Sequence, residues 1–351
     1  MLEKFIPQLA HAGPLTDEQV RQAVDQLADE KISAAVKADF LTALAQKGET
    51  PDEIAAFARA LRDRSVPPPL DPAWRNTREI LDVVGTGGDR LGTFNISTAA
   101  ALICAAAGVT VAKHGNRAVT SQAGSADVLE ALGVRTDLTP PNAARSLRER
   151  RFAFFFAPAW HPAFKHIAPA RKLCAARGQR TIFNYLGPLL NPARPSAMLV
   201  GVPQPELCEP FARVLQSLGV RRAMVVCGKV PSPKSNVQSA IDELSTLGEN
   251  TIAEFYQERG FAVSTLSPEQ FPLQAATLAD LMGGDRQANA EIIRRIFRGE
   301  ERGPKRDAVL LNSAAALFVA GRTKSLAEGW DLAAETIDRG HANAKLEELA
   351  R

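Results

Sequence analysis

The sequence predicts an α/β protein in which a small N-terminal helical domain precedes a larger α/β domain built on a mainly parallel central sheet. Three observations carry that expectation. The first 70 residues hold successive helix start and stop signals. The proline-rich run Ser65-Val66-Pro67-Pro68-Pro69-Leu70-Asp71-Pro72 then reads as a stiff linker, because proline lacks an N–H and cannot continue a helix. Beyond it, short apolar runs alternate with helical stretches, the pattern of parallel strands joined by helical crossovers.

Taken in order, Thr16-Asp17-Glu18-Gln19 is a capping box, with the side chains of Thr16 and Gln19 each placed to accept from the other's backbone N–H. A second helix over 33–47 stops at Gly48, and Thr50-Pro51-Asp52-Glu53 repeats the start signal with proline at the first helical position. Strands are expected over 80–84, 109–112, 152–157, 198–202 and 223–227. The stretch Gly228-Lys229-Val230-Pro231-Ser232-Pro233-Lys234-Ser235-Asn236 reads as an exposed irregular loop. Helical periodicity returns over 287–298, 306–320 and 325–338. This divides the chain into 1–70 and 71–351.

At 351 residues the chain exceeds the size at which one core usually stops growing, which agrees with two parts. With 45% hydrophobic and 23% charged residues it is composed like a packed soluble protein and unlike a disordered or collagen-like one. Lys and Arg total 42 against 39 Asp and Glu, and a net charge of +3 without a basic stripe argues against nucleic acid while leaving small anions open. Cys104, Cys174, Cys208 and Cys227 are far apart and lack C-x-x-C spacing, so neither a disulfide framework nor a zinc site is expected. No basic segment leads into an apolar one at the N-terminus, and the longest apolar stretch, near 99–112, is short and broken by Gly108. A cytoplasmic protein with no membrane partner is expected.

In open α/β sheets ligands collect at the carboxyl ends of strands, so the residues following each apolar run matter most. Gly85-Thr86-Gly87-Gly88-Asp89 follows the first run, and its glycines let backbone N–H groups converge on an anion. A glycine-rich turn alone is most often only a turn. Thr93-Phe94-Asn95-Ile96-Ser97-Thr98 then opens the Ala-rich helix, where unpaired N–H groups and the positive dipole end favour phosphate, although an ordinary helix cap has the same composition. Lys113-His114-Gly115-Asn116-Arg117 and Ser121-Gln122-Ala123-Gly124-Ser125 follow the second run. Three such loops in succession suit a polyanion.

The strings GTGGD, TFNIST, KHGNR and GSADVLEALG, in that order over 82–133, resemble the anthranilate phosphoribosyltransferase family. The likeness continues through Ala157-Pro158-Ala159-Trp160-His161-Pro162, Arg180-Thr181-Ile182-Phe183-Asn184, Gly187-Pro188-Leu189-Leu190-Asn191-Pro192 and Asp242-Glu243-Leu244-Ser245. The resemblance implies a nucleoside phosphorylase/phosphoribosyltransferase-like fold in which part of 160–192 packs against the helical domain. It also implies transfer of the 5-phosphoribosyl group from phosphoribosyl pyrophosphate to the amine of anthranilate in tryptophan biosynthesis, with Mg2+ as cofactor and a homodimer joined through the helical domains. On this resemblance the donor site takes in Gly85, Gly88, Asp89, Thr93, Asn95, Ile96, Ser97, Thr98, Lys113, His114, Gly115, Asn116, Arg117, Ser121 and Ser125. Asn116 and Arg171 would contact anthranilate, Lys113, Asn116 and Arg171 would form the catalytic group, and Ser97, Asp242 and Glu243 would ligate the metal. His161 and His166, which precede Arg171, are either polar core residues or contributors to the site.

The chain differs from the family pattern in three places: a longer stretch between Arg171 and Arg180, Cys227-Gly228 where a His-Gly pair is usual, and Ala240 together with Asp89-Arg90-Leu91-Gly92. Two rival readings are a phosphoribosyltransferase or phosphorylase with another acceptor, and a non-catalytic paralogue that binds nucleic acid or protein. The complete donor loops and near-neutral charge favour the enzyme.

Overall fold

Two reciprocal caps start the N-terminal helices. The computed structural model describes residues 2–118, 122–231, 239–257 and 260–351. After α1 (Ile6–Ala10), Thr16 Oγ1 accepts from Gln19 N at 3.3 Å and Gln19 Oε1 accepts from Thr16 N at 2.8 Å, opening α2 (Asp17–Ala28). Gly48 ends α3 (Ala34–Lys47), and Thr50 and Glu53 repeat the box at α4 (Pro51–Arg62). Glu53 also binds Lys47 at 2.6 Å with both side chains buried, so this cap ties two helices together.

The proline-rich run leads through the short α5 (Pro72–Asn76) into the sheet. Its first half alternates strand and helix: β1 (Ile80–Gly85), α6 (Ile96–Ala106), β2 (Thr110–Gly115), α7 (Ser125–Ala131), α8 (Pro140–Arg150) and β3 (Phe152–Phe156). Next come α9 (Ala157–Trp160), α10 (Phe164–Ala176), α11 (Phe183–Leu186), β4 (Ala197–Gly201), α12 (Cys208–Ser217) and β5 (Arg222–Val230). The rest is β6 (Ser239–Ile241), β7 (Asn250–Tyr256), β8 (Gly260–Leu266), α13 (Arg286–Phe297), α14 (Pro304–Val319), α15 (Leu326–Asp338) and α16 (His341–Leu349).

Sheet order is β3-β2-β1-β4-β5-β7-β8, with β6 also on β5. The pairs among β1 to β5 are parallel, and β5/β6, β5/β7 and β7/β8 are antiparallel. Burial on both faces explains the continuous apolar runs. Along β4, Ala197 and Leu199 enter one core with Ala-rich α6 and α14, while Met198 and Val200 enter the other with the N-terminal helices. Along β5, Met224 and Val226 face the first core, and Ala223, Val225 and Cys227 face the second. The second core includes Ile167, Ala170 and Cys174 of α10, which lies on α3: Lys37 Nζ donates to His166 O at 2.9 Å and Cys174 Sγ lies 3.6 Å from Ala38 O.

One sequence expectation is corrected. Gly228, Lys229 and Val230, read as loop, extend β5 and pair with Ile241, Ala240 and Ser239 of β6, because Pro231 falls after the last ladder position and costs no hydrogen bond. The residues 232–238 lie outside the described part. All four cysteines are unpaired and buried, and burial pushes the Cys208 and Cys227 thiols up to about 12. Among the described residues no helix is long and apolar enough to cross a membrane.

Candidate active site

From β1 the chain builds outward through β2 and β3, then returns to place β4 on the other side of β1, so the order switches between β1 and β4. Ligands in such sheets sit at the carboxyl ends beside this switch. There Gly85 and Gly201 pair in register, and a β-carbon on either would collide with Asp242, whose chain crosses both strand ends. Gly87 and Gly88 have φ of 74° and 94°, a region L side chains rarely adopt, and Gly87 N donates to Asp242 Oδ2 at 2.7 Å.

Glu243 sits at the N-terminus of α6, where Ser97 N donates to its Oε1 at 3.2 Å and the helix dipole favours negative charge. Two buried asparagines fix the segment that follows. Asn312 Oδ1 accepts from Leu244 N at 2.9 Å and its Nδ2 donates to Leu244 O at 3.0 Å, while Asn250 Oδ1 accepts from Ser245 N at 2.6 Å.

Buried charge accumulates here. Burial, and then the neighbouring Asp89 and Glu243 carboxylates, push the Asp242 carboxyl well above its ordinary range. Burial pushes Glu243 up to about 7, with the Lys113 charge acting against it. Lys113 is 1% exposed, donates to Val83 O at 2.6 Å, and is lowered by burial while Asp82 and Glu243 hold its charge in place. Burial raises Asp82 to about 6 despite Lys113 and a 2.8 Å hydrogen bond from Asn191 Nδ2. One ammonium therefore faces several carboxylates, a deficit of positive charge that a divalent cation fits. Among the described residues no three His, Cys, Asp or Glu groups alone could hold a metal. Magnesium commonly takes one or two carboxylates and completes its shell with substrate phosphates and water.

The other loops converge on the same rim. Asn95 Nδ2 donates to Ala123 O at 3.2 Å, joining the Thr93–Thr98 loop to the one before α7. Thr93 bridges to Met282, while Ile96 and Thr98 are buried, with the Thr98 hydroxyl lacking a hydrogen-bond partner among the described residues. Asn116 Oδ1 accepts from Arg117 N at 2.7 Å, and Ser125 Oγ lies over Gly115, 2.9 Å from where a β-carbon would stand. Arg117 is engaged by Glu130 at 2.7 Å and Asp127 at 2.9 Å, so its guanidinium clasps the loop to α7. Ser121 lies outside the described residues.

Among the described residues Arg171, on α10, touches none of these loops directly and connects to His114 only through a ladder of rings. Its guanidinium lies 5.3 Å from the Phe183 ring, Phe183 meets Phe164 at 5.8 Å, Phe164 stacks on His161 at 5.1 Å, and His161 meets His114 at 5.2 Å. His166 gives its carbonyl to Lys37.

Besides Asn250 and Asn312, two further residues of this region were missed in the sequence. Arg180 brings a guanidinium nitrogen to 3.2 Å from the β-carbon position of Gly88. Asn289 Nδ2 donates to Asn95 Oδ1 at 3.0 Å, and its own Oδ1 accepts from Gly284 N at 2.8 Å, so the turn before α13 braces the Thr93–Thr98 loop. Arg180 stood in a quoted string without a role; Asn289 has no local signal, since its partner is distant in sequence.

The two-part architecture and the loops at the switch point define a glycosyl transferase: residues 3–65 match the helical bundle domain of the glycosyl transferase family, and residues 77–343 match its a/b domain. Proteins named anthranilate phosphoribosyltransferase from Petrotoga mobilis and Geobacter sulfurreducens are each 44% identical to the chain, over 349 and 359 residues, covering 99% of it and 96% and 98% of themselves. The chain belongs to the anthranilate phosphoribosyltransferase family. Solved structures agree: the Thermus thermophilus enzyme is 42% identical with a TM-score of 0.85, covering 98% of each chain. The Saccharomyces cerevisiae enzyme, solved in complex with PRPP and Mg, is 26% identical with a TM-score of 0.84 and covers 99% of this chain and 96% of its own.

Proposed function

We propose that the protein transfers the 5-phosphoribosyl group of phosphoribosyl pyrophosphate to the amine of anthranilate and releases pyrophosphate. The observation that carries the reading is the meeting of the glycine loop, the α6 N-terminus and buried Lys113 beside Asp242 and Glu243 at the β1/β4 switch. As the bond from ribose C1 to pyrophosphate breaks, positive charge grows on the sugar and negative charge on the leaving group, while the amine nitrogen bonds to C1 and then releases one N–H proton to solvent. The N–H groups of the glycine loop and α6, with Lys113, are preorganised to take up negative charge, and removing one such donor commonly costs about 10²–10³ in rate. Ser97, Asp242 and Glu243 would hold magnesium. When bound, magnesium supplies positive charge that neutralises the diphosphate and its departure.

Arg171 offers a planar fork to the anthranilate carboxylate, with Asn116 on the loop after β2 as the second contact. The division of the chain at residue 70, with part of 160–192 on the helical side, belongs to this proposal and gives an acceptor wall that moves against the donor loops. A cytoplasmic homodimer completes it.

The test is fluorimetric. Purified protein with Mg2+ and phosphoribosyl pyrophosphate consumes anthranilate emission, and omitting either abolishes the loss. Donor binding without anthranilate consumption would redirect the reading to another acceptor; absence of donor binding would remove the transferase reading. Replacing both Asp242→Asn and Glu243→Gln abolishes magnesium-dependent turnover.

A further inference from the structure

A second cluster of charge lies at the opposite end of the sheet. A cleft of about 170 Å³ is lined by Arg75, Arg78, Arg194 and Arg221, with Asn76 and Ser196 on its wall. Ile80 begins β1, Ser196 precedes β4 and Arg221 precedes β5, so the cleft opens at the amino ends of strands whose carboxyl ends carry the glycine loops. No residue of the proposed transfer site lines it.

Carboxylates answer only part of this charge. Arg194 pairs with Asp63 at 2.7 Å and Arg221 pairs with Glu79, whereas among the described residues Arg75 and Arg78 have no carboxylate partner within salt-bridge distance. Arg62 stands nearby with its Nε buried and without a hydrogen-bond partner. Burial, and then the Arg194 charge, lower both Arg62, to about 10, and Arg75, so these cations press on one another. The turn that presents Arg194 is held in an unusual shape: Arg194 has φ of 48°, its N–H donates to Asn191 O at 3.0 Å, and its carbonyl accepts from Arg75. A non-glycine residue in the left-handed region is unfavourable and persists where the surroundings enforce it.

We propose that this cleft is a second anion site, for an inorganic oxyanion of the phosphate and pyrophosphate class. Guanidinium forks match tetrahedral oxyanions in bidentate fashion, and their convergence in a concavity favours a compact multivalent anion over a lone carboxylate. The volume equals that of roughly six waters, enough for either anion. An anion there would take up the N–H groups of Arg75 and Arg78 that no carboxylate accepts and relieve the repulsion among Arg62, Arg75 and Arg194.

The experiment is residue-resolved protection from an arginine-specific dicarbonyl reagent, read by peptide mass mapping of the full-length protein. Separate arms contain inorganic phosphate, inorganic pyrophosphate, or sodium chloride at matched ionic strength. Modification of Arg75 and Arg78 slows about tenfold when phosphate or pyrophosphate reaches about ten times its Kd, and chloride leaves it unchanged. The arm that protects at lower concentration identifies which anion the cleft prefers. In the Arg75→Gln/Arg78→Gln variant, protection of Arg194 by the same anions is lost while anthranilate consumption continues. Equal slowing by chloride, or unchanged modification in both phosphate arms, would overturn the assignment. Because the readout is local to this cleft, failure here leaves the transferase reading intact.

Discussion

Gly201 lies beneath Asp242 so closely that a β-carbon at position 201 would overlap the Asp242 carbonyl. The same holds one strand away, where a β-carbon on Gly85 would run into the Asp242 carboxylate. Both neighbours are backbone or short, anchored side chain, so the conflict cannot be relieved by rotation of a flexible group.

Gly201→Ala is therefore expected to displace Asp242 rather than merely crowd it. Overpacking of this kind costs about 1–3 kcal/mol. Turnover with Mg2+ should fall more steeply than the melting temperature, and the metal concentration for half-maximal activity should rise. A variant with ordinary metal dependence would separate Asp242 from the metal site.

Arg180→Ala should weaken donor binding. The guanidinium over Gly88 reaches toward the loop that would cradle phosphate, and a hydrogen bond to a charged group contributes about 1.5–3 kcal/mol. KM for phosphoribosyl pyrophosphate is expected to rise about 10- to 100-fold, with KM for anthranilate little changed. Equal changes in both constants would argue that Arg180 shapes the cleft as a whole.

Arg171→Ala should show the opposite split. Its neighbours are the rings of the ladder rather than the glycine loop, so the change should raise KM for anthranilate far more than KM for the donor. Arg171→Lys keeps the charge without the planar fork and should recover only part of the loss. Equal KM effects would remove Arg171 as carboxylate clamp.

What could be read from sequence divides along a physical line. The boxes at Thr16 and Thr50 were legible because their partners lie three residues away. The glycine loop and Lys113 drew attention because each lies in a short string at the end of an apolar run, whereas the Asp242-Glu243 pair carries no local signal and is singled out only by the family resemblance. Asn289, Asn250 and Asn312 were not, since an asparagine braces a loop only when the fold delivers the loop to it, as α14 delivers Asn312 to Leu244. The strand β8 was missed for a related reason. Over β8 most side chains are solvent-exposed, so there is no buried face to write an apolar alternation into the sequence.

The His114 and His161 rings, whose nitrogens Nε2 approach to 3.2 Å, define the last prediction. Gly187 O can only accept, so His114 Nδ1, 3.1 Å away, carries a proton. Burial, with His161 and Lys113 nearby, pushes His114 down to about 3, so the ring is neutral and its Nε2 is an acceptor. His161 Nε2 must then donate, which leaves His161 Nδ1 without a proton in the neutral ring. Burial pushes His161 down to about 4, with the Leu190 carbonyl acting in the other direction. A folded value below the unfolded one means that between about pH 4 and 6.5 the unfolded chain binds the proton and the fold does not. This contribution to stability is present above about pH 6.5 and is lost as the pH falls through that window. The raised carboxyls of Asp82, Asp242 and Glu243 act in the opposite sense, but they are common to wild type and to His161→Gln and cancel in the difference. Glutamine retains an N–H for His114 without titrating. Urea unfolding across the window should therefore show the variant losing stability less steeply with acid, by up to about 1.4 kcal/mol per pH unit. Parallel curves for the two proteins would mean that His161 is already charged in the fold.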